Sequence, residues 1–528
     1  MLSRIAKQKL NWKLLLFLIL FLNVKLVVKL LALGLVFLFQ PNLKLGFRLK
    51  DSRLPLFYPA MIGIALLNAL LYGQFFQLNP GLALVLGLSF WGLCILAIHQ
   101  VKLFVERNDA EIIHNTLVAF FIINALVSFG VLLGIIIETG AINPYRYQGN
   151  YQKYFINTGD YIKGLSFDTS TTNAAINAFG VVYFLHRRKM GLVLLCMVTL
   201  LLAASNIINL LLFLVLAFVF LFQSVRDQKS IIVACLALTV IFLFKISPQN
   251  TEYVTASVDR ILGKKPKPRA TNVKETPITE KPDSTLTAEQ LKEKAARLYL
   301  DSINRVLLQP EAATAALPVV VEKPHLPKDD IHSQPFQSRN DTNERRKELI
   351  EFLQKTGVEK ALPPETKSKL PGKVVALQQT ARLFRQDPMK LVTGMGMGNF
   401  SSKLAFRTSG LKMAGGYPLA YVYVHPDFEK NHLALYSHFF SKQAGHHSVA
   451  NSPYSVVDQV LSEYGLLGFA CFVVFYLGYF LKHRRKLGYG IPLLLLFGGL
   501  IFIDYWFEQL SVIVLLELML LLNIKETS

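Results

Sequence analysis

IIHNTLVAFFIINALVSFGVLLGIIIE, residues 112–138, holds one acidic side chain, at its last position, and neither Lys nor Arg. The hydrocarbon core of a bilayer is about 30 Å thick and takes about 20 apolar residues in a helix, so a stretch of this length and character reads as a membrane span. The same reading extends outward in both directions. Residues 54–73, 81–101, 168–186, 207–223, 230–245 and 455–481 are further candidate spans, and 190–203, 490–503 and 506–523 are shorter ones. Residues 12–40 form either one long helix or two short ones broken near Asn23-Val24-Lys25. The apolar stretch near the N-terminus has no small-residue cleavage site after it, and reads as a retained anchor.

Composition agrees. The chain is 52% hydrophobic and only 17% charged, against about 25% charged in ordinary soluble domains. The net charge of +21 would point a soluble protein toward nucleic acid. Here the excess stands largely in short loops beside apolar runs, which is how topology is set, so no nucleic-acid partner is expected. Basic clusters lie at Arg4/Lys7/Lys9/Lys13, Lys44/Arg48/Lys50/Arg53, Lys102/Arg107, Arg187-Arg188-Lys189, Arg226/Lys229 and 482–486. Placing all of them in the cytoplasm puts 74–80, 139–167, 204–206, 246–454 and the neighbourhood of Asp504 outside. It also requires 12–40 to cross twice, with Lys25 and Lys29 snorkelling if part of that region lies along the interface. The expected fold is an all-α polytopic membrane protein with about 12 crossings and both termini in the cytoplasm. Cys94, Cys196, Cys235 and Cys471 all fall in apolar runs and make neither a disulfide framework nor a metal signature.

Three parts follow: an N-terminal bundle of about nine spans over 1–245, a large mostly helical extracytoplasmic loop over 246–454 between spans nine and ten, and about three spans over 455–528. Within the loop, 262–285 and 309–340 have the Pro/Lys/Thr/Asp composition of disordered linkers. Amphipathic helices are expected at 287–308, 343–356 and 374–386, the last closed by Asp387-Pro388.

Several polar motifs interrupt this pattern. GMGMGNF at 394–400 places Gly394, Gly396 and Gly398 before Asn399, a pattern suited to a tight turn or close backbone approach. HHSVANSPYSVVDQVLSEYGLLG at 446–468 carries polar residues directly into a span, and ionisable groups at such depth are functional candidates. Tyr454, Asp458 and Ser462 share one helical face, and Ser455, Gln459 and Glu463 the next. GDYIKGLSFDTSTTN at 159–173 sets Lys163 ahead of span six, where it suits an anion, and Ala204-Ser205-Asn206 fills a tight outer turn. Each also has a plain structural reading: a turn, a helix cap, an exposed loop.

Together these motifs resemble the O-antigen ligase and O-antigen polymerase superfamily. PGKVVALQQTARLFRQDPMKLVTGMGMGNF at 371–400 looks like that family's loop motif, NSPYSVVDQVLSEYGLLGF at 451–469 like the motif that follows it, and KGLSFDTSTTNAA like the one before span six. Lys373 stands where the family usually has Arg, Ser205-Asn206 where it has Ser-Arg, and Tyr454-Ser455 where it has His-Asn. The resemblance implies a metal-independent, cofactor-free glycosyltransferase at the outer face of a bacterial inner membrane. Its donor would be a glycan on polyprenyl diphosphate, and its acceptor another glycan or a lipid core. The chemistry needs a base for the acceptor hydroxyl and cations for the departing diphosphate. The candidates are His446 or His447 as base with Glu463 assisting, and Lys163, Lys373, Arg382 and Arg385 as cations. Gly394, Gly396, Gly398, Asn399, Asn451, Tyr454, Ser455 and Gln459 are candidate substrate contacts. Polymerase and ligase both remain open, as does a non-catalytic component of a polysaccharide export machine.

Overall fold

The computed structural model describes residues 9–146, 158–247, 370–411, 415–439 and 449–527. All belong to one compact unit, Met1–Ser257 with Gln334–Ser528. The expected helices at 287–308 and 343–356, the linkers, and His446 and His447 lie outside the described residues.

Among the described residues the chain is helical, without strands. In chain order the main helices are α1 (Trp12–Phe21), α2 (Leu26–Phe39), α3 (Phe57–Leu71), α4 (Leu78–Arg107), α5 (Ala110–Thr139), α6 (Ser170–His186), α7 (Met190–Leu202), α8 (Asn206–Phe222) and α9 (Arg226–Ile241). After these come α10 (Gly372–Gln386), α11 (Val456–Cys471), α12 (Gly490–Leu500) and α13 (Ser511–Glu526). Among the described residues four helical stretches are long and apolar enough to cross a membrane: Leu78–Arg107, Ala110–Thr139, Arg226–Ile246 and Val456–Leu481. Six others are apolar but shorter.

Residues 12–40 form two helices. Asn11 caps α1 by accepting the amide of Leu14, and the chain turns through Asn23 to Lys25 before α2 packs back on α1. Lys29 does not snorkel. Its ammonium turns inward to the Phe21 carbonyl (2.6 Å) and Ser511 Oγ (3.1 Å), because the end of α1 leaves carbonyls that need donors. The expected span at 506–523 is also different. A short turn, Trp506–Gln509, breaks at Leu510, held at φ 69°, before α13 begins. Pro388 divides the loop helices as expected, and it also opens the next one, Pro388–Thr393, with Asp387 as cap.

The core is apolar and aromatic. Phe57 meets Trp91 edge-on (5.5 Å between centroids), Tyr476 (5.4 Å) and Phe507 (5.1 Å) where α3, α4, the continuation of α11 and the 506–509 turn converge. At one end of the bundle the basic loops gather. Arg53 pairs with Glu106 (2.7 Å), Lys482 with Asp51 and Arg187 with Glu526, and Lys525 donates to the carbonyls of Val105 and Asn108.

Candidate functional site

The two motifs read separately in the sequence, GMGMGNF and the Glu463–Gly468 stretch, form one backbone clamp. Gly465 has φ 65° and ψ −166°, a conformation open essentially to glycine alone, and it kinks α11. The kink frees carbonyls from the helical ladder, and freed carbonyls need donors. Met395 N–H donates to Ser462 O (2.8 Å) and Gly396 N–H to Glu463 O (3.0 Å). Asn68 on α3 adds its side-chain amide to the Thr393 carbonyl at 2.6 Å, and Tyr72 OH reaches the Gly394 carbonyl at 2.7 Å. Gly394, Gly396 and Gly398 all have positive φ. A Cβ on Gly394 would stand 2.5 Å from the Glu463 carbonyl oxygen, so the close approach that Gly394 permits is to the protein's own helix.

The Glu463 side chain is fully buried in this clamp, with Oε1 accepting the Phe400 amide at 3.2 Å. Asn399 is spent in the same loop, donating to the Met395 carbonyl (2.6 Å) and accepting from Tyr423 OH (3.0 Å). Asp458, one turn before Ser462, accepts from Thr380 on α10 at 2.7 Å. Ser455 caps α11 and donates to the Ile501 carbonyl at 3.2 Å. Tyr454 stacks near Tyr505, with 5.1 Å between ring centroids. Asn451 lies against Gly372, where any side chain would strike its carbonyl.

Lys373 is held from three sides. Its ammonium donates to Ser452 Oγ (3.1 Å), the Ile503 carbonyl (2.9 Å) and the Tyr454 carbonyl. An ammonium has three protons, so none is left for a ligand in this arrangement. Burial pushes its pKa down to about 7, against the opposing fields of Asp504 and Asp458. Arg382 and Arg385 are exposed on α10, and Lys163 is half-buried in the turn before α6. That turn is fixed by asparagines: Asn124 Oδ1 accepts the Leu165 amide (2.9 Å), and Asn173 donates to the Ile162 carbonyl (3.0 Å).

The ionisable side chains that converge on open space are different ones. A small cleft, with room of about 40 Å³ and part of it open to solvent, is lined by Lys29, Asp168, Lys403, Arg407, Glu508, Gln509 and Ser511, with Val24, Leu26, Phe90 and Leu404 as its apolar wall. Three cations against two carboxylates leave one excess positive charge. Lys403 and Arg407 stand on a short helix, Lys403–Thr408, that Ser402 caps, and the Arg407 guanidinium lies 5.8 Å from the Phe90 ring centroid. Asp168 arrives from the N-terminus of α6, where it accepts from Thr172 Oγ1 at 2.8 Å. Glu508 is held by Gln459 on α11, whose amide donates to Oε1 at 2.5 Å. Two non-glycine residues beside these acids, Phe167 (φ 50°) and Leu510 (φ 69°), are held at positive φ, as Asp51, Arg188 and Ala204 are elsewhere in the fold, at a cost of order 1–3 kcal/mol each.

Of the candidate site residues named from the sequence, Gln459 is one that is hydrogen-bonded to a carboxylate lining the cleft, and Asp168 lies within the 159–173 motif. The cleft's own charges had a signal, since Lys29 and Glu508 are ionisable groups within or beside apolar runs. Lys403 and Arg407 had none beyond composition. His432, a further residue not singled out, is fully buried against Phe400 (4.6 Å between centroids). It shares a hydrogen bond with Gln379 Oε1 at 2.7 Å, and among the described residues its Nε2 has no partner. Burial pushes its pKa down to about 3, so it is neutral. Among the described residues no cluster of His, Cys, Asp and Glu is arranged to hold a metal ion. No protein-family model, curated protein or solved structure matches the chain.

Proposed function

We propose that this chain is a membrane glycosyltransferase that polymerises or ligates glycan carried on polyprenyl diphosphate at the outer face of a bacterial inner membrane. It would cross that membrane about 12 times with both termini in the cytoplasm. The observation that carries the reading is the charged cleft. Apart from Phe90 on α4, its walls come from the turn between α1 and α2 with the start of α2, the turn before α6, the Lys403–Thr408 helix and the break before α13. The loop charges assign these four segments to the same, extracytoplasmic side. A polyprenyl diphosphate presents a dianionic headgroup at that depth beside an apolar tail. Lys29, Lys403 and Arg407 supply cations for a leaving group whose charge grows in the transition state. Their low-dielectric surroundings strengthen that attraction relative to water.

The test is the length distribution of surface and lipid-linked glycan in a deletion strain, with and without the gene restored. Collapse to single repeat units marks a polymerase, and full-length glycan stranded on its carrier marks a ligase. No change in either pool would remove this reading.

A further inference from the structure

We infer that Glu508 is the group that takes the proton from the acceptor hydroxyl, an assignment that rests on the glycosyl-transfer reading above.

Elimination among the nearby acids narrows the choice to the two that line the cleft, and the way Glu508 is held favours it. The Glu463 carboxylate is fully buried and accepts the Phe400 amide, and it does not line the cleft. Asp458 is fully buried against Thr380. Asp504 accepts the Tyr505 amide (2.7 Å) and the Gln509 side-chain amide (2.8 Å). Asp168 lines the cleft as well and accepts one hydroxyl proton, from Thr172 Oγ1 (2.8 Å), so Glu508 and Asp168 are the two acids left. Glu508 lines the cleft and is oriented by one side chain, Gln459, at 2.5 Å. The Leu404 backbone amide also donates to this carboxylate, and two neutral amide donors aim it without neutralising it, as a general base requires. The backbone contributes as well. Glu508 sits in a four-residue turn, Trp506–Gln509, that ends at Leu510 with φ 69°, and this break directs it into the cleft rather than along the wall of α13.

The step balances with the groups named. The acceptor O–H bond breaks and its proton goes to a Glu508 oxygen. The hydroxyl oxygen forms a bond to the anomeric carbon. The bond from that carbon to the diphosphate oxygen breaks, and the diphosphate leaves with the electron pair toward Lys29, Lys403 and Arg407. The charged or polar groups that surround Glu508 are Gln459 and Glu463 from α11, Lys403 and Arg407 from the short helix, Lys29 from α2, and Asp168 from the turn before α6. Burial, then the field of Glu463, raises the proton affinity of this carboxylate above that of a free glutamate, with Arg407, Lys403 and the Leu404 amide opposing, so it is a base and not an inert ion-pair partner.

The experiment uses the full chain in nanodiscs, a polyprenyl-diphosphate-linked repeat unit as donor, and initial rates across pH. Glu508→Gln should lower kcat at least 100-fold with donor KM within about threefold, as removal of a general base does. Glu508→Asp should retain measurable transfer with a displaced acid limb of the pH profile. Glu508→Gln within fivefold of wild type, with the acid limb intact, overturns the assignment and leaves the glycosyl-transfer reading standing. Equal loss in Glu508→Gln and Glu508→Asp, with an unmoved acid limb in the residual Asp activity, also overturns it. Wild-type protein that transfers nothing from any polyprenyl-diphosphate donor overturns the reading and the assignment together.

Discussion

Substituting Gly465 by Ala tests whether the glycine loop and the α11 kink are one device. The backbone there has φ 65° and ψ −166°, and an L-residue held in that region is strained by of order 1–3 kcal/mol. The added Cβ would also stand 2.5 Å from the Val392 carbonyl carbon and 2.6 Å from the Gly394 amide nitrogen. Both are backbone atoms, so no side chain can swing aside. Ordinary contact begins near 3.4 Å, and the loop must therefore retreat by about 1 Å, enough to lengthen the Met395 N–H and Gly396 N–H hydrogen bonds past useful range. Each is worth roughly 0.5–1.5 kcal/mol, and more where a buried group is left unpaired. The sum is about 3–5 kcal/mol of destabilisation.

The assay is thermal unfolding of purified protein in detergent, where that loss lowers the midpoint by roughly 5–10 °C. Gly130→Ala is the control. Gly130 lies in α5 with nothing within 4 Å of its added Cβ, and Ala is the better helix former, so its midpoint should hold or rise slightly. A Gly465→Ala protein that melts with wild type would refute the clamp, because no relaxation short of separating the two backbones removes the overlap.

Other outcomes follow from the same geometry. Lys373→Met leaves two buried carbonyls and a hydroxyl without their donor, so the melting midpoint should fall by the equivalent of about 2–4 kcal/mol; an unchanged midpoint with lost transfer would give Lys373 a role on substrate instead. His432 is neutral in the fold, with a pKa of about 3 against 6.5 for the free side chain. Its contribution is therefore complete above pH 6.5 and is lost as pH falls, by about 2 kcal/mol at pH 5; a His432→Phe protein whose midpoint falls as steeply as wild type between pH 7.5 and 5 would contradict this. Lys403→Ala and Arg407→Ala should each weaken binding of undecaprenyl diphosphate about 10- to 100-fold, the range for a lost hydrogen bond to a charged group, as read by competition against a labelled donor; unchanged affinity in both would remove the cleft as the headgroup site.

Spans and breaks were the legible part of this chain. The 112–138 stretch is α5 almost to the residue, and Asn23-Val24-Lys25 marks the turn between α1 and α2, because burying unpaired backbone in an apolar setting is so costly that composition alone dictates helix. Leu510 was less readable. Nothing about a leucine between Gln509 and Ser511 announces a left-handed residue, and the surrounding apolar run hides the break. Lys373 illustrates a different loss. A lysine near a glycine-rich loop suggests an anion partner, yet its carbonyl partners Tyr454 and Ile503 are more than eighty residues away along the chain, and no local pattern encodes them. The cleft fails to show for the same reason: its five charges come from four distant segments, each with an ordinary reading of its own.

Those segments are nevertheless mechanically linked to the motifs that the sequence did display. Gln459 and Glu463 are four residues apart and share a face of α11, so what fixes the rotation of one fixes the other. The glycine loop grips Glu463 by its carbonyl and its carboxylate, and Gln459 in turn grips Glu508. The motifs therefore act at one remove: they set the azimuth of α11, and α11 aims the carboxylate that faces the cleft. On this account a Gly465→Ala protein should lose orientation at Glu508 before it loses its fold. Transfer would fall at temperatures well below its lowered melting midpoint, whereas a destabilised but correctly aimed protein, such as Lys373→Met, would keep its rate until it melts.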